Sequence, residues 1–102
     1  MKEFSANEME AMIWSDELGV APSIDLHEKM IENALIDLEA RIHHSMMRSE
    51  QVIKIIHGGG TGKLRNAIHE WLETQELVLY FRDSTKPGEA GNVTYALLAS
   101  LR

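Results

Sequence analysis

The stretch from Val52 to Thr74, VIKIIHGGGTGKLRNAIHEWLET, constrains the fold more than any other part of the chain. Its opening run, Val52 to Ile56, is β-branched and predicts a short buried strand. Gly58, Gly59, Gly60 and Gly62 follow, four glycines within five positions, which let the backbone turn sharply and let a ligand approach the main chain. Residues 61–74 then place Leu64, Ile68, Trp71 and Leu72 on one face of a helix. The glycines therefore join a strand to a helix N-terminus.

That turn is close to a nucleotide-binding P-loop, and counting separates the two. A P-loop needs glycine, four residues, then Gly-Lys and a serine or threonine. Gly62-Lys63 supplies the end, but the first glycine position is His57 and the residue after the lysine is Leu64. No hydroxyl is placed to hold Mg²⁺. What survives is the physics of the turn. Unpaired N–H groups and the helix dipole favour an anion such as phosphate, and Lys63 and Arg65 add positive charge. A bare strand-to-helix turn would explain one glycine more readily than four.

The remaining elements arrange themselves around this unit. Ser5 and Glu8 fit a capping box for a helix over residues 6–17, expected to lie outside the core fold. Residues 19–23 read as a linker and residues 23–27 as a strand. A helix from Glu28 carries Ala34 and the apolar face Ile31, Leu35, Leu38 and Ile42. Residues 77–82 and 93–99 read as strands, joined by a loop containing Pro87, Gly88 and Gly91. After a leading helix the order is β-α-β-α-β-β. Strand–helix–strand units give parallel pairing by right-handed crossovers, and the last two strands can pair antiparallel. The expectation is an α/β two-layer sandwich, a four-stranded mixed sheet with both crossover helices on one face and an extra N-terminal helix. Residues 1–20 form the helix and linker, and residues 21–102 the α/β domain.

At 102 residues the chain suffices for one modest core. It has no cysteine, hence no disulfide framework or thiolate zinc site. It shows no signal peptide and no run long enough to span a bilayer, so a soluble cytoplasmic protein without membrane contact is expected. The net charge of -6 argues against simple electrostatic coating of nucleic acid. The charge is uneven, however. Residues 1–40 hold ten acids and two bases, -8, whereas residues 41–102 hold six acids and eight bases, +2. Local phosphate contact by the second part is compatible with this balance.

In IDLH, Ile24 and Leu26 alternate with Asp25 and His27, so a strand would send the carboxylate and the imidazole to one face. Such a pair is suited to general acid/base work near neutral pH, although the spacing alone also fits a solvated strand end. Topology adds weight. Ligands of open parallel α/β sheets bind beyond the carboxyl ends of the strands. His27 ends the first predicted strand and His57 the second. If these strands are parallel neighbours, Asp25, His27 and His57 surround an anion held by the glycine loop, an arrangement suited to phosphodiester chemistry.

The pair IDLH and IIHGGGTGKLR resembles the two signatures of the Smr, or small MutS-related, domain: a Leu-Asp-x-His strand and a His/Thr-Gly-x-Gly loop. Thr61, Gly62, Lys63, Leu64 and Arg65 continue that family's loop ending. Ala34-Leu35 matches an Ala-Leu pair, and GNVTYALL resembles a closing Gly-x-x-Thr strand. The likeness covers about residues 22–100. It implies an endonuclease acting on RNA or DNA, in some members on messages at stalled ribosomes. By position it makes Asp25, His27 and His57 catalytic, and assigns phosphate binding to Gly58, Gly59, Gly60, Thr61, Gly62, Lys63 and Arg65. No metal is required in the preferred mechanism; a variant would use Mg²⁺ or Mn²⁺ on Asp25 and the histidines. One position departs: the family's glycine after the Asp-x-His strand is here Glu28. It reads either as the first residue of the helix, where an acid suits the dipole, or as the mark of a member that binds without cutting.

Other residues carry blander readings. His43 and His44 are adjacent and do not face the same way on a helix. His69 is expected on the surface and Trp71 in the core. Lys54, Arg82 and Lys86 are candidate phosphate contacts, more commonly solvated. The alternatives to a nuclease are a non-catalytic module binding nucleic acid or the ribosome, and a protein-interaction domain using Met9, Met12, Ile13 and Trp14. The sequence leaves oligomeric state open.

Overall fold

Two strands whose alternate side chains enter apolar clusters on opposite faces set the architecture. In the computed structural model, which describes residues 4–100, β2 (Val52–Ile56) and β4 (Val93–Leu98) are the inner strands, and every β4 side chain is buried. Ile53, Ile55, Ala96 and Leu98 enter one apolar cluster; Val52, Val93, Tyr95 and Leu97 enter another on the opposite face. The edge strands are β1 (Ser23–Asp25) and β3 (Val78–Asp83), giving the order β1-β2-β4-β3. β1 pairs parallel with β2, Ile24 opposite Ile55, while β4 is antiparallel to both β2 and β3. The mixed four-stranded sheet is the one expected.

Helices α2 (Ile31–Met47) and α3 (Lys63–Glu73) cover the first cluster with Ala34, Leu38, Ile42, Met46, Ile68 and Leu72. Trp71 packs against it, as expected of a core residue. Helix α2 begins at Ile31 rather than at residue 28. Glu28 adopts φ +65°, a left-handed conformation that a helix cannot continue, and Lys29 N–H closes a turn on the Leu26 carbonyl at 3.2 Å. A left-handed position favours glycine, which gives the departure at Glu28 a physical meaning.

The leading helix α1 (Ala6–Leu18) begins with the expected capping box, Ser5 and Glu8 each bonding the other's backbone N–H at 3.2 Å. It does not lie outside the core. Ile13 is fully buried against the second face of the sheet, with Met9 and Met12 packed beside it. That burial contributes on the order of 2 kcal/mol. Charged side chains complete the contact. Arg82 on β3 donates to Glu10 and, at 3.1 and 3.2 Å, to both oxygens of the buried Glu17 carboxylate. Ser84 and Thr85 add further donors to Glu17, at 2.7 to 3.0 Å. Hydrophobic patterning missed this docking because half of it is ionic.

Candidate functional site

The parallel pairing of β1 with β2 brings the ends of both motifs together. Leu26 N–H extends that pairing one step, bonding the Ile56 carbonyl at 2.7 Å. Asp25 and His27 project beyond it and touch. Asp25 Oδ1 accepts the His27 backbone N–H at 3.1 Å and is also hydrogen-bonded to His27 Nδ1. Both side chains are about half exposed. The bond to His27 holds the Asp25 carboxyl below its usual range, and the bond from Asp25 followed by its charge raises the His27 imidazole above the usual histidine value. Because Nδ1–H is committed to Asp25, Nε2 is the nitrogen left to meet a substrate.

The glycine loop forms the facing wall. Gly58 has φ +77°, and a Cβ built on it would lie 3.2 Å from His27 Cβ, so the loop rests directly on the Asp-x-His turn. Gly62, at φ +84°, is the residue from which α3 starts. The N–H groups of His57 and Gly58 both bond the Asn92 carbonyl at 3.0 Å, and Gly62 N–H bonds the Gly59 carbonyl at 3.1 Å. Those of Gly59, Gly60 and Thr61 have no acceptor among the described residues. A cleft of about 870 Å³ runs between residues 27–32 and residues 57–64. Unpaired N–H groups, the N-terminus of α3 and exposed Lys63 make its loop wall suited to an anion.

Two residues grouped with this wall from sequence sit differently. His57 lines the cleft but is only 3% exposed, and both ring nitrogens are engaged: Nδ1 with the Gly58 carbonyl at 2.9 Å and Nε2 with Thr94 Oγ1 at 2.9 Å. Burial lowers its pKa, so the ring is neutral. A carbonyl can only accept, which puts the proton on Nδ1 and leaves Nε2 to accept from the Thr94 hydroxyl. His57 is thus tied inward at both ends. Arg65 lies outside the cleft lining and makes a two-pronged bond to Asp83, Nε to Oδ1 at 3.0 Å and Nη2 to Oδ2 at 2.5 Å.

Thr94, fully buried on β4, is the hub behind the loop. His69 Nε2 lies 2.7 Å from its hydroxyl, and Asp83 Oδ1 3.4 Å. His69 is half-buried rather than a surface residue, and desolvation lowers its pKa. Among the described residues, His57, His69 and Asp83 form a group whose ligand atoms lie within 4.8 Å of one another. All three converge on Thr94 Oγ1, which stands where an ion would sit, and Arg65 neutralises Asp83. Asp25 and His27 are not members of that group. Lys54 is paired with Glu89 at 2.5 Å, and Arg82 is held by α1. The hub escaped the sequence reading because Thr94, His69 and Asp83 come from three elements with no shared spacing. The Gly-x-x-Thr ending was its only trace.

Fold and cleft together define a small α/β domain that presents an Asp-x-His turn and a glycine loop at the carboxyl ends of two parallel strands. The Smr domain family matches residues 24–99, and the chain belongs to that family. It is 39% identical over 70 residues to endonuclease MutS2 of Aquifex aeolicus, covering 69% of this chain and 9% of that protein. To endonuclease MutS2 of Caldicellulosiruptor saccharolyticus it is 38% identical over 76 residues, 74% of this chain and 10% of the relative. The chain thus spans about a tenth of the length of these relatives. The crystal structure of the Smr domain of Thermus thermophilus MutS2 superposes with a TM-score of 0.73 at 31% identity, covering 78% of this chain and 99% of that one. YdaL, a stand-alone small MutS-related protein from Escherichia coli, shares the fold at a TM-score of 0.79 and 20% identity, over 95% of this chain and 79% of that one. Among the described residues no helix is long and apolar enough to cross a membrane.

Proposed function

We propose that the protein is an Smr-type endonuclease that cleaves RNA, or nicks single-stranded or structured nucleic acid, by general acid/base chemistry. The observation that carries this reading is the Asp25–His27 pair, with Nε2 open to the cleft opposite the unpaired N–H groups of the glycine loop. On RNA, His27 Nε2 takes the proton of a ribose 2′-OH. The 2′-oxygen attacks the adjacent phosphorus, the bond to the 5′-oxygen breaks, and that oxygen takes a proton from solvent water and leaves as a hydroxyl. The loop N–H groups and Lys63 offset the charge of the phosphorane. His57 acts as a positioning residue, holding the Gly58 carbonyl and thereby the loop. The products are a 2′,3′-cyclic phosphate and a 5′-hydroxyl.

This route needs no metal. Mg²⁺ or Mn²⁺ acting here would find Asp25 and His27 as its donors, with the His57 nitrogens already engaged. The partner required is nucleic acid, free or on a ribosome. A second reading, a module that binds without cutting, is favoured by one observation: Glu28 replaces the family glycine and its negative side chain lines the cleft. The test is cleavage of end-labelled RNA, DNA and a branched duplex with and without EDTA, beside an Asp25→Ala/His27→Ala variant. EDTA-resistant cutting that yields the cyclic phosphate and disappears in the variant is expected. Equal rates on all-DNA strands would sink the 2′-OH mechanism. Micromolar binding with no cutting by either protein would establish the second reading.

A further inference from the structure

The wall of the cleft opposite the loop breaks a local rule. Met30 is the N-cap of α2, a position where a serine, threonine, aspartate or asparagine ordinarily caps the helix, and it makes no side-chain cap bond. Its side chain is 74% exposed and that of the next residue, Ile31, 40% exposed. Both line the cleft, and Leu64 lines it from the first turn of α3. Two large apolar side chains therefore stand in water at a helix start where a polar one would serve the fold better. Departures from local consistency without a structural return mark functional positions.

We propose that Met30 and Ile31 form a ledge for an unstacked nucleobase, so that the cleft takes a single-stranded nucleotide. The ledge is continuous with the anion-binding loop and Lys63, and a nucleotide presents the matching pair of features, an apolar ring face joined to a phosphate. The methionine thioether, soft and polarisable, packs well on an aromatic ring. In a duplex the ring faces are covered by their neighbours and reach such a ledge only after extrusion from the stack. This inference deepens the nuclease reading and rests on it for the place of the phosphate.

The test uses the full chain and a 2′-O-methyl RNA strand, which cannot be cut through its 2′-oxygen, carrying 2-aminopurine as a fluorescent base. Binding is measured to the single strand and to its duplex, for the wild type and for a Met30→Ser/Ile31→Gln variant. Serine restores an ordinary cap, so the variant retains its helix, and circular dichroism checks this. The wild type should bind the single strand about tenfold more tightly than the duplex, and the variant should lose about that factor on the single strand alone. Equal affinity for both forms, or an unchanged variant, would overturn the ledge and leave it to a protein segment. Cleavage of unmodified RNA is scored separately. Single-strand preference without any cleavage supports the ledge and removes the nuclease reading, whereas cleavage without that preference does the reverse.

Discussion

Asp25 and His27 share one carboxylate oxygen twice, once through a backbone N–H and once through the ring, so the imidazole is fixed although about half of it is exposed. The same contact raises the pKa of His27, the group that has to be neutral to accept a proton. Activity should therefore rise with pH through a midpoint above the usual histidine value. Asp25→Asn removes the charge and weakens the hydrogen bond, the two largest causes of the upward shift, and leaves only the smaller upward influence of Glu28. Its His27 ring, followed by NMR titration, should lose its proton at lower pH than in the wild type, and the cleavage profile should move the same way. The maximal rate should fall by about 10²-fold or more. An unmoved His27 titration would show that Asp25 does not set the basicity of the ring. At this scale the sequence was informative where chemistry and spacing coincide, as in Asp-x-His and the glycines. For His57 the sequence suggested a catalytic residue facing the phosphate, and it carried no sign of the burial that turns both nitrogens inward.

At the scale of elements, the glycine loop is only half made by its own residues. Its strand side hangs on the Asn92 carbonyl, and the histidine before it leans on the Thr94 hydroxyl. Thr94→Val keeps the shape of the side chain and deletes that hydroxyl, leaving the buried Nε2 of His57 without its partner. Destabilisation by about 1–3 kcal/mol is expected, read from the urea midpoint, with a loss of cleavage although no residue facing the cleft has changed. The strands and α3 were legible because β-branched runs and the 3.6-residue period are local properties, and the parallel β1–β2 edge followed from the strand–helix–strand order. The late start of α2 was not, since a left-handed glutamate leaves no mark in composition. Nor was the dependence of the loop on β4, which joins residues more than 30 positions apart.

For the whole molecule, the acidic first part of the chain is not a loose appendage. Glu17 lies buried between α1 and the sheet. Burial alone would push its pKa up, but hydrogen bonds from Arg82, the Thr85 N–H, Ser84 and the Thr85 hydroxyl outweigh that and hold it at about 2, against 4.5 for an ordinary glutamate. A depressed carboxyl stabilises the fold above its unfolded-state value, and that contribution, about 3 kcal/mol, is lost as pH falls from about 5 towards 2. Glu17→Gln should be less stable by about that amount at pH 7 and should unfold with a flatter dependence on acid, measured by denaturant melts across the range. A parallel pair of curves would show that the carboxylate does not anchor α1. The sheet order carries a different consequence. Among the described residues β4 is the last strand yet interior in the sheet; it is the only strand paired with β3, and it carries Thr94 behind the loop. While the protein is being made, Asp25, His27 and all the glycines of the loop emerge before the residues that hold them in place. The contacts that hold the loop therefore become available only once synthesis has passed β4.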